Sequence, residues 1–260
     1  MRELERDLVH PTHAAIAIVG PGRAGSSLAR AAESAGLKVT LAGRREAIDA
    51  CRGADAALLC VPDDAIAEAC AACAGLGEET PSLVGHVSGA STLDVLSPAT
   101  AAGAATFSMH PLQTFPDGQA AVAGMPCAVA GSSAGATGFA TELAEALEMR
   151  PFEVPEESRA AYHAAASIAS NLLVALEESA AELLSRAGVD DARELLAPLV
   201  LQTAANWAER GAEALTGPIA RGDAATVDRH LEAISEIAPE LLAAYEALAE
   251  RAAAGRRAPA

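Results

Sequence analysis

Short apolar segments alternate with helical patterns through the first 150 residues of the chain. Residues 15–19 form an apolar run typical of a buried strand, and a helical pattern follows over residues 26–35. Further strand-like segments occupy residues 39–42, 55–61, 82–87, 106–109 and 127–130. Strands separated by helices in this way predict a doubly wound, Rossmann-type α/β sheet that is mostly parallel and covered on both faces.

The pattern changes near Pro151 and Pro155, after which no segment has the character of a strand. Three long helical patterns follow, over residues 156–187, 190–213 and 223–254. The expected organisation is therefore a disordered tail over residues 1–13, a domain containing the sheet over 14–152 and an all-helical domain over 153–255.

A glycine-rich turn directly follows the first predicted strand and opens the first helix. It reads Gly20-Pro21-Gly22-Arg23-Ala24-Gly25, the G-x-G-x-x-G spacing of dinucleotide-binding folds. The first glycine allows the tight turn, the second lets the backbone approach a pyrophosphate, and the third lets the helix pack closely on the strand. The amino end of the helix then faces the phosphates. The turn is therefore predicted to bind a dinucleotide, so residues 14–152 are expected to form a dinucleotide-binding Rossmann domain.

The end of the second predicted strand indicates which dinucleotide binds. Proteins that prefer NAD usually place a carboxylate there to bond the ribose 2′-hydroxyl. This chain has Gly43, Arg44 and Arg45 instead, and two guanidinium groups can hold a 2′-phosphate through paired hydrogen bonds. NADP is therefore the predicted cofactor, and the alternative is that both arginines are solvated surface charges. Val61 and Pro62, at the end of the third predicted strand, complete the predicted cofactor contacts.

The composition of the chain argues against several other functions. A formal net charge of −17, with only four Phe, two Tyr and one Trp, argues against binding to nucleic acid. No segment reads as a secretory signal or a membrane span. Five cysteines do not suit a disulfide framework, and the single C-x-x-C pair, Cys70 and Cys73, lacks the second pair of a zinc site. We expect a cytoplasmic protein with free thiols and no metal.

Several stretches are more distinctive than the glycine fingerprint. They read Ile18-Val-Gly-Pro-Gly-Arg-Ala-Gly25, His86-Val-Ser-Gly89, Ser108-Met-His-Pro111 with Phe115, Tyr162-His163 through Ser170-Asn171, and Leu215-Thr-Gly-Pro-Ile-Ala-Arg-Gly-Asp223 with His230-Leu231. On these, about residues 14–250 resemble oxidoreductases that join a Rossmann-like domain to DUF2520, in the 6-phosphogluconate dehydrogenase-like superfamily. The resemblance implies oxidoreductase activity related to that of ketopantoate reductases, and a homodimer formed through the helical domain.

The lysine content of the chain bears on mechanism. In the hydroxyacid dehydrogenases and the familiar ketopantoate reductases of that superfamily, a lysine four residues before an asparagine supplies the proton that accompanies hydride transfer. In this chain Asn171 matches the asparagine, but Ser167 stands at the lysine position. The only lysine, Lys38, precedes the second predicted strand and cannot replace it. Another group must therefore donate the proton.

Two histidines are candidates for that role, because the unperturbed pKa of histidine lies near the operating pH. His163, Ser167 and Asn171 are spaced i, i+4, i+8 and would form one stripe of a single predicted helix. His110 follows a predicted strand and precedes Pro111, at the sheet edge where open α/β folds bind ligands. For each histidine the alternative is an ordinary structural hydrogen bond.

Ser88, Asn171 and Arg221 are predicted to orient the substrate. Ser88 ends a predicted strand, so its hydroxyl and the following amides would hold a carboxylate, or else form an ordinary turn. Arg221 would bind a carboxylate bidentately, or else form a surface ion pair. Asp223 is fully explained as a cap of the last helix, while His230 either supports the site or faces solvent.

Two kinds of function remain. The first is an NADPH-dependent reductase acting on the carbonyl of a small carboxylate, with ketopantoate as the first substrate to test, or on an imine. The second is a non-catalytic NADPH-binding sensor or partner protein that has lost the catalytic lysine.

Overall fold

The computed structural model describes residues 9–255, so residues 1–8 of the expected tail lie outside the described part. Backbone contacts divide the chain into two compact units, Met1–Ser167 and Ile168–Ala260. The first unit contains the sheet, and the second is helical over its described residues. The compact sheet unit therefore extends beyond residue 152, where the Rossmann domain was expected to end.

Seven strands form one sheet in the first unit, in the order β2-β1-β3-β4-β5-β6-β7. Their bounds are β1 Ala15–Val19, β2 Lys38–Ala42, β3 Ala56–Leu59, β4 Leu83–His86, β5 Ala105–Pro111, β6 Pro126–Gly131 and β7 Arg150–Glu153. Strands β1 to β5 are parallel, β6 is antiparallel to β5, and β7 is parallel to β6. The predicted fold class is confirmed, with two reversed strands at one edge.

Helices cover both faces of the sheet. They are α1 Arg23–Ser34, α2 Ala47–Cys51, α3 Ile66–Ala74, α4 Ser97–Ala101, α5 Ala134–Ala146 and α6 Arg159–Ala169. Alternate residues of a strand enter different cores: Ile16 and Ile18 pack in one buried cluster with α1 and α5, whereas Ala17 and Val19 pack in the other. This alternation is the period of two that a strand buried on both faces requires.

The register aligns the carboxyl ends of the parallel strands. Val19 of β1 pairs with Leu59 of β3, Leu59 pairs with His86 of β4, and His86 pairs with Ser108 of β5. The loops that follow these strands therefore open at the same edge of the sheet, where ligands of open α/β folds bind.

Strand β7 was not expected from the sequence. It contains Pro151, which cannot donate a ladder hydrogen bond and is tolerated in sheets mainly on edge strands. Because β7 lies at the outer edge, beside β6 alone, the proline is accommodated there. The strand itself was missed, whereas the predicted change to helix from residue 156 agrees with the structure, because β7 ends at Glu153 and α6 begins at Arg159.

Five α-helices begin in the described part of the second unit: α7 Asn171–Arg186, α8 Ala192–Arg210, α9 Gly217–Arg221, α10 Ala224–Ile237 and α11 Leu242–Gly255. Two of the three long helices expected from the sequence are interrupted. The last divides at Ala238, whose φ of −149° and ψ of 64° leave the helical region. Pro239 explains this break, because a proline disfavours helical geometry at the residue before it. The first divides at Ser170, with φ of −128° and ψ of −78°.

Candidate functional site

The glycine turn after β1 has strict steric requirements. Gly20 has a φ of +110°, and a Cβ there would collide with the carbonyl group of Cys60. A Cβ on Gly25 would collide with the carbonyl oxygen of Gly20 and lie 3.0 Å from the Cβ of Cys60. Around Gly22, by contrast, no described atom comes within 4 Å of a built Cβ. Two glycines thus hold the turn against the sheet, and the third faces open space.

The amino end of α1 is suited to an anion. Gly22 is its N-cap and has no side chain to bond the first amides, and the first turn carries no acidic residue. The leading N–H groups of a helix lack intrahelical partners, and the helix dipole favours negative charge at this end. Arg23 and Ala24 begin the helix, so their N–H groups are available to a phosphate.

The segment after β2 carries Arg44 and Arg45 on the surface. Arg44 forms an ion pair with Glu68 of α3, and both side chains are largely exposed, at 86% and 70%. Exposed ion pairs of this kind contribute about 0–1 kcal/mol, so a phosphate can take over the guanidinium at little cost. Glu46 lies beside Gly43, with Oε2 3.1 Å from a Cβ built there.

Val61 and Pro62 follow β3 beside the glycine turn. Cγ1 of Val61 lies 3.1 Å from a Cβ built on Gly20, and Pro62 is exposed. Both residues therefore border the same edge as the turn, in agreement with the neighbouring positions of β1 and β3 in the sheet.

A second group of polar residues lies further along this edge, around Gly89. A Cβ built on Gly89 would lie 2.6 Å from Nδ1 of His163 and 2.8 Å from both Cε1 and Nε2 of His110. The rings of His110 and His163 meet edge to face with centroids 5.8 Å apart. His110 also shares a hydrogen bond of 2.6 Å between its Nδ1 and the hydroxyl of Tyr162. We refer to Gly89, His110, Tyr162 and His163 as the Gly89 cluster.

Burial sets the protonation of two members of the cluster. It lowers the pKa of His110 to about 4, and the neighbouring His163 and Arg159 act in the same direction. It also raises the pKa of Tyr162 to about 12. Both side chains are therefore neutral at pH 7. A neutral imidazole carries one N–H, so His110 and Tyr162 share a hydrogen bond between uncharged groups.

The two nitrogens of His163 have different surroundings. Its Nδ1 is buried against Gly89 and has no hydrogen-bond partner among the described residues. The side chain as a whole is only half-buried. The nitrogen left to meet a ligand is therefore Nε2, whereas Nδ1 of His110 is already bonded to Tyr162.

A buried arginine lies beneath the cluster. Arg159, at the start of α6, is only 1% exposed. Its Nε donates to Glu156 over 3.0 Å, one terminal nitrogen donates to the carbonyl of Ser88 over 3.4 Å, and the other donates to the hydroxyl of Ser108. Burial lowers the pKa of Arg159, while Glu156 and Tyr162 oppose that change.

The hydroxyl of Ser88 is engaged within its own turn. It accepts hydrogen bonds from the backbone N–H groups of Ala90 and Ser91, over 3.2 and 3.0 Å, and donates to the hydroxyl of Ser91. The backbone N–H of Ser88 donates to Nδ1 of the fully buried His86. These contacts are those of an ordinary turn, which was the alternative to carboxylate binding by Ser88.

Asn171 does not continue the stripe of His163. The helix that was expected to carry both residues ends at Ala169, and Asn171 begins α7. The Oδ1 of Asn171 accepts a hydrogen bond from the hydroxyl of Ser170 over 2.9 Å. The expectation of one continuous i, i+4, i+8 stripe was therefore wrong. The sequence around Ser170 contains neither a proline nor a glycine that would have marked the interruption.

The remaining candidates belong to the second unit and have local contacts there. Asp223 caps α10 by accepting from the backbone N–H and the hydroxyl of Thr226, so the prediction of a cap is confirmed. His230 shares a hydrogen bond of 2.7 Å with the hydroxyl of Tyr245. Arg221 ends the short helix α9 with its side chain exposed.

Sequence reasoning missed Tyr162 and Arg159 as members of a site. Both stand in the segment that carries His163, but the helical spacing of Arg159, Tyr162 and His163 reveals nothing about contacts with β4 and β5. Gly89 was considered only as part of a turn. The spacing of Ser108 and His110 on one strand was the one available signal, because residues i and i+2 of a strand face the same side.

Helices α7 and α8 of the second unit expose many large apolar side chains. The most exposed of them are Val174 63%, Leu195 59%, Leu199 64%, Leu201 71% and Trp207 66%. On α8, Leu195 and Leu199 share one side of the helix, whereas Leu199 and Leu201 face different sides. We refer to these five residues as the α7–α8 apolar surface.

Within residues 9–255, no helix is long and apolar enough to cross a membrane. The same residues contain no group of three His, Cys, Asp or Glu side chains placed to hold a metal ion. All five cysteines are buried and free.

Two family models match the chain. A Rossmann-like domain matches residues 42–111, and DUF2520, a domain of unknown function, matches residues 125–252. The chain belongs to the family that joins a Rossmann-like domain to DUF2520. The resemblance noted from the sequence is therefore confirmed. No curated protein matches the chain.

Solved structures share the fold of this family member over nearly its whole length. A candidate NADP oxidoreductase of Bacteroides fragilis is 22% identical, with a TM-score of 0.75, and the match covers 92% of this chain and 97% of that one. A Thermotoga maritima protein is 21% identical, with a TM-score of 0.73 and coverage of 93% and 98%. A reductive aminase of Aspergillus terreus, in complex with NADPH and ethyl-5-oxohexanoate, is 17% identical, with a TM-score of 0.65 and coverage of 94% and 95%.

Proposed function

We propose that the protein is an NADPH-dependent reductase acting on the carbonyl of a small carboxylate. The observation that carries the proposal is the convergence of His110, Tyr162 and His163 on Gly89, at the edge of the sheet that also holds the glycine turn. Strands β1 and β4 are two places apart in the sheet, roughly 10 Å at the usual strand spacing. A dinucleotide whose pyrophosphate lies at the turn can therefore reach the cluster with its nicotinamide.

NADP is the cofactor that the residues fit. Gly22 and the uncapped amino end of α1 would receive the pyrophosphate, and Arg44 with Arg45 would receive the 2′-phosphate. The shared fold of the Aspergillus terreus enzyme, which was solved with NADPH, supports the same choice.

Replacing Arg44 by Asp tests the cofactor choice. The aspartate would place a negative charge where the 2′-phosphate is proposed to lie, so we expect the dissociation constant for NADPH to rise at least about tenfold. The NADH constant should change little, since NADH lacks that phosphate. Titration of nicotinamide fluorescence measures both constants, and Arg52→Asp, at an exposed arginine paired with Glu79, is the control. An unchanged NADPH constant in the Arg44→Asp variant would reject the assignment.

When bound, the nicotinamide supplies the hydride to the substrate carbon. Among the protein groups, we assign the matching proton to Nε2 of His163, because its other nitrogen is buried against Gly89. His110 is the alternative donor, but its Nδ1 is occupied by Tyr162 and the ring is neutral at pH 7. This hydrogen bond suits His110 to holding Tyr162 in place.

Substrate orientation is assigned to Asn171 and Arg221, as predicted from the sequence. The hydroxyl of Ser88 has a different role, since its bonds to Ala90 and Ser91 fix the loop that presents Gly89. A guanidinium at Arg221 would bind a substrate carboxylate bidentately.

An imine is the second candidate substrate. The fold shared with the reductive aminase favours it, because that enzyme matches 94% of this chain. A panel of 2-oxo acids, led by ketopantoate, and of cyclic imines separates the two when NADPH absorbance is followed. Turnover of the oxo acids is expected. Turnover of imines alone would select the second candidate, and tight NADPH binding without turnover of any member would favour a non-catalytic sensor.

We also infer that the chain forms a homodimer through the α7–α8 apolar surface. The exposed Leu195 and Leu199 lie one turn apart on α8, so a partner that covers one residue also covers the other. The free cysteines, all buried, suit the reducing cytosol as the compartment.

Introducing a charge into this surface tests the dimer. Leu199→Glu should shift the mass measured by size-exclusion chromatography with light scattering from dimer to monomer, because burial of an unpaired carboxylate is costly. Ala243→Glu on α11, at an exposed position, is the matched control and should remain dimeric. A monomeric wild-type chain, or a dimeric Leu199→Glu variant, would contradict this arrangement.

A further inference from the structure

Arg159 is an unusual residue to bury. Its guanidinium is only 1% exposed, although it lies at the start of a helix and carries a charge. A buried charge is costly unless it is paired and its hydrogen-bonding groups are satisfied. Arg159 meets this condition with three acceptors that belong to three different segments: Glu156, Ser88 and Ser108.

The acceptors of Arg159 are next to members of the Gly89 cluster. The carbonyl of Ser88 directly precedes Gly89, and Ser108 lies two residues before His110 on the same side of β5. Arg159 itself is three and four residues before Tyr162 and His163 on α6, so all three share one face of that helix. One guanidinium thus connects every segment that contributes to the cluster.

Glu156 extends this connection. One carboxylate oxygen pairs with Arg159 over 3.0 Å, and the other accepts the backbone N–H of Leu93 over 2.8 Å. Leu93 begins the turn that follows the Ser88 loop. Each partner of the ion pair therefore also bonds a backbone group. Arg159 bonds the carbonyl of Ser88, and Glu156 bonds the N–H of Leu93.

We propose that Arg159 is the positioning residue of the site, which holds Gly89 and His110 in register with Tyr162 and His163. The proposal rests on the proposed reductase function. It explains why a charged side chain is buried here although it forms its hydrogen bonds with Glu156, Ser88 and Ser108 and not with the side chains of the Gly89 cluster. A displacement of about 1 Å at such a site can lower the rate about 100-fold.

Lysine cannot replace arginine in this arrangement. The guanidinium is planar and directs its N–H groups along fixed, divergent directions, whereas an ammonium is a point charge at the end of a flexible chain. Lysine would keep the pair with Glu156 but would not reach Ser88 and Ser108 together. Arg159→Lys therefore keeps the positive charge but removes the hydrogen bonds to Ser88 and Ser108.

The test compares Arg159→Lys with Arg150→Lys. Arg150 also donates from Nε to a backbone carbonyl, that of Gly124, but it is exposed and lies at the start of β7, two strands away from β5. For Arg159→Lys we expect kcat to fall at least about tenfold and the melting temperature to decrease, because the buried bonds to Ser88 and Ser108 are lost, while the NADPH dissociation constant stays near the wild-type value. Arg150→Lys should leave all three unchanged.

A second readout does not depend on activity. Two-dimensional spectra of ¹⁵N-labelled imidazoles report the environment of His110 and His163, and Arg159→Lys should shift the signals of both while Arg150→Lys shifts neither. Ser108→Ala, which removes one acceptor and keeps the arginine, should also shift the His110 signals. This variant provides the test if Arg159→Lys does not fold.

The two proposals fail in different ways. If the wild-type protein reduces no substrate, the reductase function fails while the imidazole spectra still test Arg159. Unchanged imidazole signals in Arg159→Lys and Ser108→Ala, or an unchanged kcat in an active and folded Arg159→Lys variant, would overturn the positioning role.

Discussion

Gly89→Ala is expected to abolish reduction while leaving the cofactor bound. The added Cβ would lie 2.6 Å from Nδ1 of His163 and 2.8 Å from Nε2 of His110, closer than van der Waals contact allows. At least one imidazole must therefore move, and the 2.6 Å hydrogen bond between His110 and Tyr162 depends on its present position. We expect kcat to fall at least about 100-fold, because misplacement of catalytic groups by about 1 Å has that effect.

Gly138→Ala is the matched control for this substitution. Gly138 lies inside α5, and no described atom comes within 4 Å of a Cβ built there. Alanine is preferred to glycine inside a helix by about 1 kcal/mol, so this variant should keep its activity and its stability. Full activity in Gly89→Ala, with the protein folded, would mean that the Gly89 cluster is not where the reaction occurs.

His163→Ala is expected to have the second large effect. If Nε2 of His163 donates the proton, its loss should lower kcat by about 10² to 10⁴, the usual contribution of general acid catalysis. The NADPH dissociation constant should not change, because His163 lies at the Gly89 cluster and the glycine turn is two strands away. Steady-state kinetics and fluorescence titration of the same preparation measure the two effects.

The comparison with Tyr162→Phe identifies the donor within the cluster. Phenylalanine removes only the hydroxyl that bonds His110, so a smaller decrease than in His163→Ala would agree with a supporting role for the His110 and Tyr162 pair. Undiminished turnover in His163→Ala would instead assign the proton to His110 or to Tyr162.

The sequence was sufficient for the features that depend on local rules. The glycine turn, the alternation of strands and helices, and the cap at Asp223 all follow from the conformational needs of neighbouring residues, and the structure contains each of them. The family resemblance also rested on contiguous motifs. None of these inferences required knowledge of which distant segments touch.

The features that sequence reasoning missed depend on contacts between distant segments. Strand β7 is stabilised by pairing with β6, which its own proline-containing sequence does not reveal. The burial of Arg159 depends on acceptors 51 and 71 residues earlier in the chain. The break at Ser170 has no proline or glycine to announce it, so periodicity alone joined His163 and Asn171 into one stripe.

His163 and the position of the missing lysine lie on the same helix. Ser167 occupies the position where the better-known relatives carry lysine, and His163 lies one helical turn before it in α6. His163 is therefore displaced from that position by about 5.4 Å along the helix axis. Gly89 leaves room for its imidazole beside that of His110.

The most direct test of the central claim is transfer of deuterium from the cofactor. NADPH deuterated at C4 of the nicotinamide is incubated with the protein and ketopantoate, and the product is examined by mass spectrometry and NMR. A reductase whose chemistry takes place at the Gly89 cluster should place deuterium on the former carbonyl carbon with the wild-type protein and with Gly138→Ala, but not with Gly89→Ala. Tight NADPH binding with no labelled product from ketopantoate, any other 2-oxo acid or any cyclic imine would contradict it.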